Sequence, residues 1–227
     1  MRQSEVMDTK NIIESLHSLF EDVGEHPTDT KKLYNHLAKV CSELVHAEAC
    51  SIFISNERGR LMMRGDHGHD FSFVDSDKDE DSYTPGEGVT GVVFQTGKPS
   101  SVSSKEEVVS YPGHKNKLYP RQWKDGVDHI CHSWYQFPLG KSKPPLGVMK
   151  IENKLGSNEK PLENGGFNES EKQILEIVAN SIVPLIILKK TKEDMDRIIQ
   201  ALHSIGVTTN IDDIYSPVLL DKIAEQT

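Results

Sequence analysis

The sequence of 227 residues is poor in cysteine, in net positive charge and in long apolar runs. Its three cysteines are too few, and odd in number, for a disulfide framework, so they indicate a reducing compartment. The 26 lysines and arginines are outnumbered by 35 aspartates and glutamates, which gives a formal net charge of −9. Because such a charge repels nucleic-acid phosphates and anionic lipid headgroups, we expect neither nucleic acid nor a membrane among the partners of this domain.

The apolar stretches are short. The first ten residues lack the hydrophobic segment of a signal peptide, and residues 182–188 are too few to cross a bilayer and include Pro184. We therefore expect a cytoplasmic location, for a chain that is either complete or a piece of a larger protein. Apolar and aromatic residues make up 36% of the sequence, which at this length is enough for an ordinary core.

Hydrophobic periodicity predicts helices at both ends of the chain and strands between them. We predict an N-terminal helix within residues 1–27, a central domain over 28–188, and a C-terminal helix with the start of a following module over 189–227. Within the central domain, strands are expected at residues 49–54, 60–64, 100–103, 133–139 and 146–153, and a short helix at 89–96. Residues 104–128 read as a long irregular loop.

The last predicted strand has two chemically different faces. Alternation places Val148, Lys150 and Glu152 on one face and Met149 and Ile151 on the other. The apolar face is suited to contact helices. The charged face is expected to meet either water or a polar pocket.

Four segments carry a resemblance to the GAF family, in the order PGEGVTGVVFQTGKP (85–99), SWYQFPL (133–139), LGVMKIENK (146–154) and FNESEKQILEIVA (167–179). The chain resembles a GAF domain over residues 31–188. The resemblance implies an α+β fold in which an antiparallel sheet of about six strands carries the terminal helices on one face and a small-molecule pocket on the other. It also implies a non-catalytic sensor that signals through those helices to a covalently linked output domain, such as a histidine kinase of a two-component system.

The resemblance further implies that the pocket is walled by the long loop and by the charged faces of the two late strands. On that basis the ligand-binding residues are expected to be Trp123, His129, Cys131, His132, Trp134, Lys150 and Glu152.

The ligand itself is left open between several classes. Haem needs only one axial His or Cys, and the candidates are His114, His129, Cys131 and His132, so a haem- or redox-linked sensor is one alternative. A cyclic nucleotide is another, because Asn153-Lys154, Phe167 and Glu171 partly match the pattern of cyclic-nucleotide GAF domains. There the expected ion pair between Lys154 and Glu171 would be structural. A dimerisation module without any ligand is the third alternative.

Metal binding is not expected. Asp66, His67, His69 and Asp70 are close together, and residues 75–81 are strongly acidic, but neither tract has the spacing of a zinc or calcium site. Both are predicted to be solvated turns.

Catalysis is not expected either. GAF-fold methionine-sulfoxide reductases need several cysteines near the pocket, whereas Thr84 and Thr90 stand where such thiols are wanted and Cys131 would act alone. Cys41 and Cys50 are predicted to be buried and inert, with only Cys131 accessible.

Between residues 174 and 202, mostly apolar positions alternate at spacings of four and three. Such a seam predicts that the terminal helix pairs in parallel with the same helix of a second copy, with Lys192 as a polar interruption. The expected assembly is a homodimer.

Overall fold

The computed structural model describes residues 30–69, 82–113 and 131–204, together with Glu14, His17 and Ser18, which are helical. Several sequence predictions lie outside the described residues: nearly all of the N-terminal helix, the acidic tract at 75–81, His114, Trp123, His129 and the segment after residue 204.

Six antiparallel strands form one sheet in the order β3-β2-β1-β6-β5-β4. The predicted α+β fold class with about six strands is confirmed. Each long strand alternates side chains between two covered faces. The strands are β1 Ala47–Ser55, β2 Leu61–His67, β3 Ser82–Tyr83, β4 Ser100–Val102, β5 Trp134–Leu139 and β6 Gly147–Lys154.

Four helices are described, namely α1 Thr30–Leu44, α2 Gly88–Thr96, α3 Lys105–Ser110 and α4 Glu169–Ser204. Helix α3 lies where the sequence predicted irregular loop. Six residues are too few to show helical periodicity, but its start has a cap: the Ser104 side chain accepts a hydrogen bond from the Glu107 backbone N–H, and Glu106 and Glu107 occupy the first turn.

One face of the sheet is covered by α1 and the first part of α4. Cys50, Ile151 and Tyr135 are directly paired across β1, β6 and β5, so their side chains share a face. Buried Cys50 lies near Cys41 of α1, and the Tyr135 hydroxyl donates a hydrogen bond to Glu176 of α4. We call this surface the helix face.

Helix α1 approaches the sheet so closely at one point that a side chain has no room. A Cβ on Gly65 of β2 would lie 2.6 Å from the Cβ of Tyr34. Glycine at this position therefore lets the helix pack against the strand, and an alanine there would push the two elements apart.

The opposite face is covered by α2 and α3. One cluster of buried apolar side chains there includes Phe53, Met63, Phe94 and Val148. A second cluster consists of Val89, Val102, Val108, Cys131 and Trp134, with Tyr111 against it. We call this surface the pocket face.

The chain divides into two compact units, residues 1–183 and 184–227. The sheet and both of its faces belong to the first unit. The described part of the second unit is the remainder of α4, which continues through Pro184 without a break in helical structure. None of the described helices is long and apolar enough to cross a membrane.

Candidate functional site

A row of polar side chains crosses the pocket face between its two apolar clusters. Asp66, Ser51, Lys150 and Gln136 occupy directly paired positions on β2, β1, β6 and β5. Paired residues of antiparallel strands project from the same face with their Cβ atoms about 5 Å apart. The register of four strands therefore brings together these side chains, which we call the polar row.

Two further charged side chains border the polar row. Lys150 Nζ lies 2.7 Å from Glu152 Oε1, and His69 Nε2 lies 3.4 Å from Glu152 Oε2. The other ring nitrogen of His69 lies 2.8 Å from Asp66 Oδ1, which also accepts a hydrogen bond of 2.9 Å from the Ser51 hydroxyl. Asp66, His69, Glu152 and Lys150 thus form one continuous network of charges.

This network is almost entirely removed from solvent. The side chains of Glu152, His69, Asp66 and Lys150 are 0%, 2%, 5% and 12% exposed. Desolvation of charges is costly, and it is offset here because each carboxylate contacts a basic group. The charged face of β6, for which the sequence left water or a polar pocket open, is therefore interior.

The groups around His69 determine which of its protonation states is favoured. Burial alone would lower the pKa of His69, but its hydrogen bond to Asp66, its close contact with Glu152 and the negative charges of both carboxylates raise the pKa above the ordinary value. Two carboxylates on opposite sides of one ring favour the imidazolium form.

Gln136 connects the polar row to α2. Its Oε1 accepts a hydrogen bond of 2.9 Å from the Thr90 hydroxyl, and both residues are buried. Thr90, which the sequence analysis considered only as the position of a missing thiol, therefore orients a side chain of the site.

The other predicted site residues that the structure describes are engaged in packing and in hydrogen bonds within the protein. Trp134 is fully buried, donates a hydrogen bond from Nε1 to Ser100 Oγ at 3.2 Å, and contacts the edge of Tyr111. Cys131 was predicted to be accessible, and this is wrong: it is buried in the same cluster, with its thiol directed to the Ser133 carbonyl oxygen at 3.6 Å. The His132 backbone N–H donates to Asn153 Oδ1. Trp123 and His129 lie outside the described residues.

Sequence reasoning missed Asp66 and His69 as site residues and assigned them to a solvated turn. The reason is a shift in register between Ile52 and Phe53 of β1, where Phe53 pairs with Met63 but Ile52 pairs with Gly65. The extra residue, Arg64, changes the alternation of β2, so that Asp66 instead of Gly65 follows Met63 on the pocket face. Strict alternation places Asp66 on the wrong side.

The end of β6 connects the site to both covering helices. Asn153, in a left-handed conformation with φ of 56°, accepts hydrogen bonds from the His132 and Ser133 N–H groups. Lys154 Nζ lies 2.6 Å from Glu171 of α4 and 2.5 Å from the Val45 carbonyl oxygen just after α1. The ion pair anticipated from the sequence is present, two residues beyond Glu152.

A separate cavity of about 640 Å³ lies at the other end of α2. It contains none of the predicted site residues and no member of the charged network. The cavity is lined by Ser55, Asn56, Glu57, Gly59, Pro85, Phe94, Gln95, Thr96, Gly97, Lys143, Pro144 and Pro145.

Metal ligation finds no support in the part of the chain that the structure describes. No three His, Cys, Asp or Glu side chains there are arranged to hold a metal ion.

The amino-acid sequence matches no family model and has no significant similarity to a curated protein. The fold, in contrast, is similar to many solved structures. The GAF domain of a phosphoenolpyruvate-protein phosphotransferase from Coxiella burnetii superposes with a TM-score of 0.62 at 19% identity, over 82% of this chain and 99% of that one. The equivalent domain from Acinetobacter has a TM-score of 0.60 at 16% identity, over 82% and 96% of the two chains. The chain has a GAF fold.

The same comparison corrects the prediction that the chain is not an enzyme. Free methionine-R-sulfoxide reductase from Neisseria meningitidis, solved in complex with its substrate, has a TM-score of 0.57 at 16% identity, over 82% of this chain and 95% of that one. The reductase of Staphylococcus aureus is similar too, with a TM-score of 0.55. Enzymes are thus among the structures that share this GAF fold, which contradicts the prediction, made from the missing thiols, that the chain is not an enzyme.

Proposed function

We propose that this chain is a GAF-fold sensor module that binds a small polar molecule at the polar row and passes the signal to its terminal helices. The observation that supports this is the buried network of Asp66, His69, Lys150 and Glu152. Apolar residues of similar volume usually stabilise an interior at least as well as a buried ion-pair network does. Perturbed, buried titratable groups cluster preferentially at functional sites.

The route for the signal runs along β6. Glu152 belongs to the network, Asn153 holds the backbone where the described chain resumes at residues 131–133, and Lys154 contacts the start of α4 and the end of α1. A molecule that displaces Lys150 from Glu152 would alter the strand immediately before these contacts. Binding shifts the helices only if the molecule has different affinities for their two arrangements.

Thermal unfolding with a panel of small metabolites tests the site. A compound that binds only the native state raises the melting temperature. We expect such a compound to stabilise the wild type and the Tyr135→Phe variant, in which only the helix face is altered, and to lose this effect in Lys150→Met. An effect that persists in Lys150→Met, or a panel without any stabilising compound, contradicts the proposal.

We propose in addition that the module dimerises through the later part of α4. Ile187, Leu188 and Ile198 are 50%, 67% and 60% exposed, and helices that expose large apolar side chains commonly cover them against a partner. Of these three, only Leu188 belongs to the predicted seam, and the seam members Val178 and Ile199 are buried, so the proposed contact differs from the predicted one.

Sedimentation distinguishes a dimer from a monomer. The Leu188→Glu/Ile198→Glu variant is expected to be monomeric with an unchanged sheet domain, whereas the matched variant Gln200→Glu stays dimeric. A double variant that still sediments as a dimer contradicts this contact.

The cytoplasmic location stays a prediction from the cysteine content.

A further inference from the structure

The polar row contains hydrogen-bond donors that the described residues do not use. Gln136 is only 2% exposed, and its oxygen is held by Thr90. Within residues 30–69, 82–113 and 131–204, its amide nitrogen makes no hydrogen bond. The amide nitrogen is not one of the fully enclosed atoms without a partner, so it retains a little contact with solvent and can donate to water or to a bound molecule.

Lys150 adds to the same set of donors. It is paired directly with Gln136 across β6 and β5 and projects from the same face. An ammonium group has three N–H donors, and the structure gives it Glu152 as its one partner among the described residues. A cation and an amide NH₂ therefore project from directly paired positions on the same face of the sheet.

Because Thr90 holds the oxygen of Gln136, the orientation of the side-chain amide is fixed. The donor pair is thus oriented before any ligand arrives, which reduces the entropy lost when an acceptor is bound. A group with two acceptor oxygens on one atom matches two donors that lie side by side.

The surrounding charges limit what the acceptor can be. Among the described residues, Glu152 and Asp66 balance the positive charges of Lys150 and His69. A dianion such as phosphate would place two additional negative charges beside two buried carboxylates, which is strongly unfavourable. A singly charged acceptor group meets the donors at a smaller electrostatic cost.

We propose that Lys150 and Gln136 form a subsite for the carboxylate group of a small organic monoanion. This rests on the proposed function, and it names the chemical class that the sensor recognises. The carboxylate accepts one hydrogen bond from Lys150 Nζ and one from Gln136 Nε2, while the remainder of the molecule lies along the pocket face.

The smallest probe is acetate, with acetamide as its neutral isostere and inorganic phosphate as the more highly charged anion. In ¹H–¹⁵N spectra of the isotope-labelled full chain, the Gln136 side-chain signals are assigned through Gln136→Leu. We expect acetate, relative to chloride at equal ionic strength, to shift these signals saturably. Acetamide and phosphate should leave them unchanged.

Two lysine variants complete the experiment. Lys150→Met should weaken acetate binding by about tenfold or more, since it removes a charge-assisted hydrogen bond. The matched variant Lys172→Met removes a lysine of α4 that pairs with Glu169 and should bind acetate like the wild type. If acetate leaves the Gln136 signals unchanged, or acts equally on Lys150→Met, the carboxylate subsite is refuted.

The outcomes separate the two proposals. If acetamide or phosphate shifts the Gln136 signals and acetate does not, the pocket face binds ligands but the carboxylate assignment is wrong. If none of the three probes shifts these signals, and no metabolite in the thermal panel stabilises the protein, both the subsite and the sensor function are wrong.

Discussion

The two faces of the sheet are built by the same strands and are both buried, yet the pocket face carries a network of charged side chains between its apolar clusters. On the helix face, Ile52, Phe137 and Ile151 are apolar and fully or almost fully enclosed. At the adjacent position of each strand, Ser51, Gln136 and Glu152 are equally enclosed and polar. Burial alone therefore does not make a hydrophobic core in this domain.

The comparison shows what each face contributes. Close-packed apolar side chains stabilise the helix face by removing hydrocarbon from water. The network on the pocket face must first offset the desolvation of four charged groups, so its net contribution to stability is small. We infer that the helix face maintains the fold, and that the pocket face is retained for binding.

The largest expected effect comes from breaking the helix face. Phe137→Ala removes a fully buried ring that stacks on Tyr135, with 5.2 Å between ring centroids. Such truncations typically cost about 3–5 kcal/mol, because a cavity remains where the ring was. Urea denaturation followed by circular dichroism measures the loss, and Phe137→Leu should lose clearly less. A loss below about 1 kcal/mol would mean that the core of the helix face does not depend on this ring.

The second effect concerns the ion pair of the pocket face. Glu152→Leu removes the carboxylate beside Lys150 and leaves His69 with Asp66 alone, at a cost of about 1–3 kcal/mol, since Lys150 is partly exposed and can turn toward water. Lys150→Met/Glu152→Leu removes both charges and should regain most of this loss. The free energies of unfolding of both single variants and the double variant form a cycle that isolates the pair.

If the double variant is as unstable as the sum of its single variants, the two charges are not coupled. The interaction between Lys150 and Glu152 would then be weaker than the distance of 2.7 Å between Nζ and Oε1 indicates, and the two faces would differ less.

The third effect is a dependence of stability on pH. The pKa of His69 is raised in the folded protein, above an ordinary value of 6.5, through its contacts with Asp66 and Glu152. The folded state therefore binds the proton more tightly than the unfolded state. The resulting stabilisation is complete below about pH 6.5 and is lost as the pH rises through the folded-state pKa.

Urea titrations between weakly acidic and weakly alkaline pH measure this slope. His69→Gln is expected to flatten it, whereas His17→Gln, which changes an exposed histidine, should leave it as in the wild type. An identical slope in wild type and His69→Gln would show that His69 does not exchange a proton in this range.

Much of the fold could be predicted from the sequence because its elements have strong local signals. Alternation in β6 separated Lys150 and Glu152 from Met149 and Ile151, and the glycines around α2 marked its ends. Helix α3 and strand β3 were not predicted, because their six and two residues are too few to show a hydrophobic period. Local pattern therefore predicted the long elements and missed the short ones.

The candidate site was predictable only in part, for a different reason. Lys150 and Glu152 follow from the alternation of one strand. Asp66 and His69 lie beside them because of the extra residue in β2. Gln136 lies beside them because β5 pairs with β6. Register and bulges are set by contacts between distant segments, which a local pattern does not record.

The smallest expected effect is the reactivity of the cysteines, which also differ between the faces. Burial raises the pKa of Cys41 to about 12, and burial together with the charges of Cys41, Asp66 and Glu152 raises that of Cys50. Both thiols are on the helix side of the sheet, whereas Cys131 packs beside Trp134 on the pocket face. Because the thiolate is the reactive form, we expect negligible alkylation of all three in the native protein at neutral pH.

Slow labelling should then begin at Cys131, which precedes β5 and lies outside the helix face. A reagent can reach Cys41 or Cys50 only after α1 has separated from the sheet. A time course with iodoacetamide, followed by peptide mass spectrometry, gives the order, and the urea-unfolded protein provides the rate for free thiols. A ligand bound at the polar row should slow Cys131 more than the other two. Faster labelling of Cys41 or Cys50 than of Cys131 would show that the helix face opens first, and that it is not the more stable side of this domain.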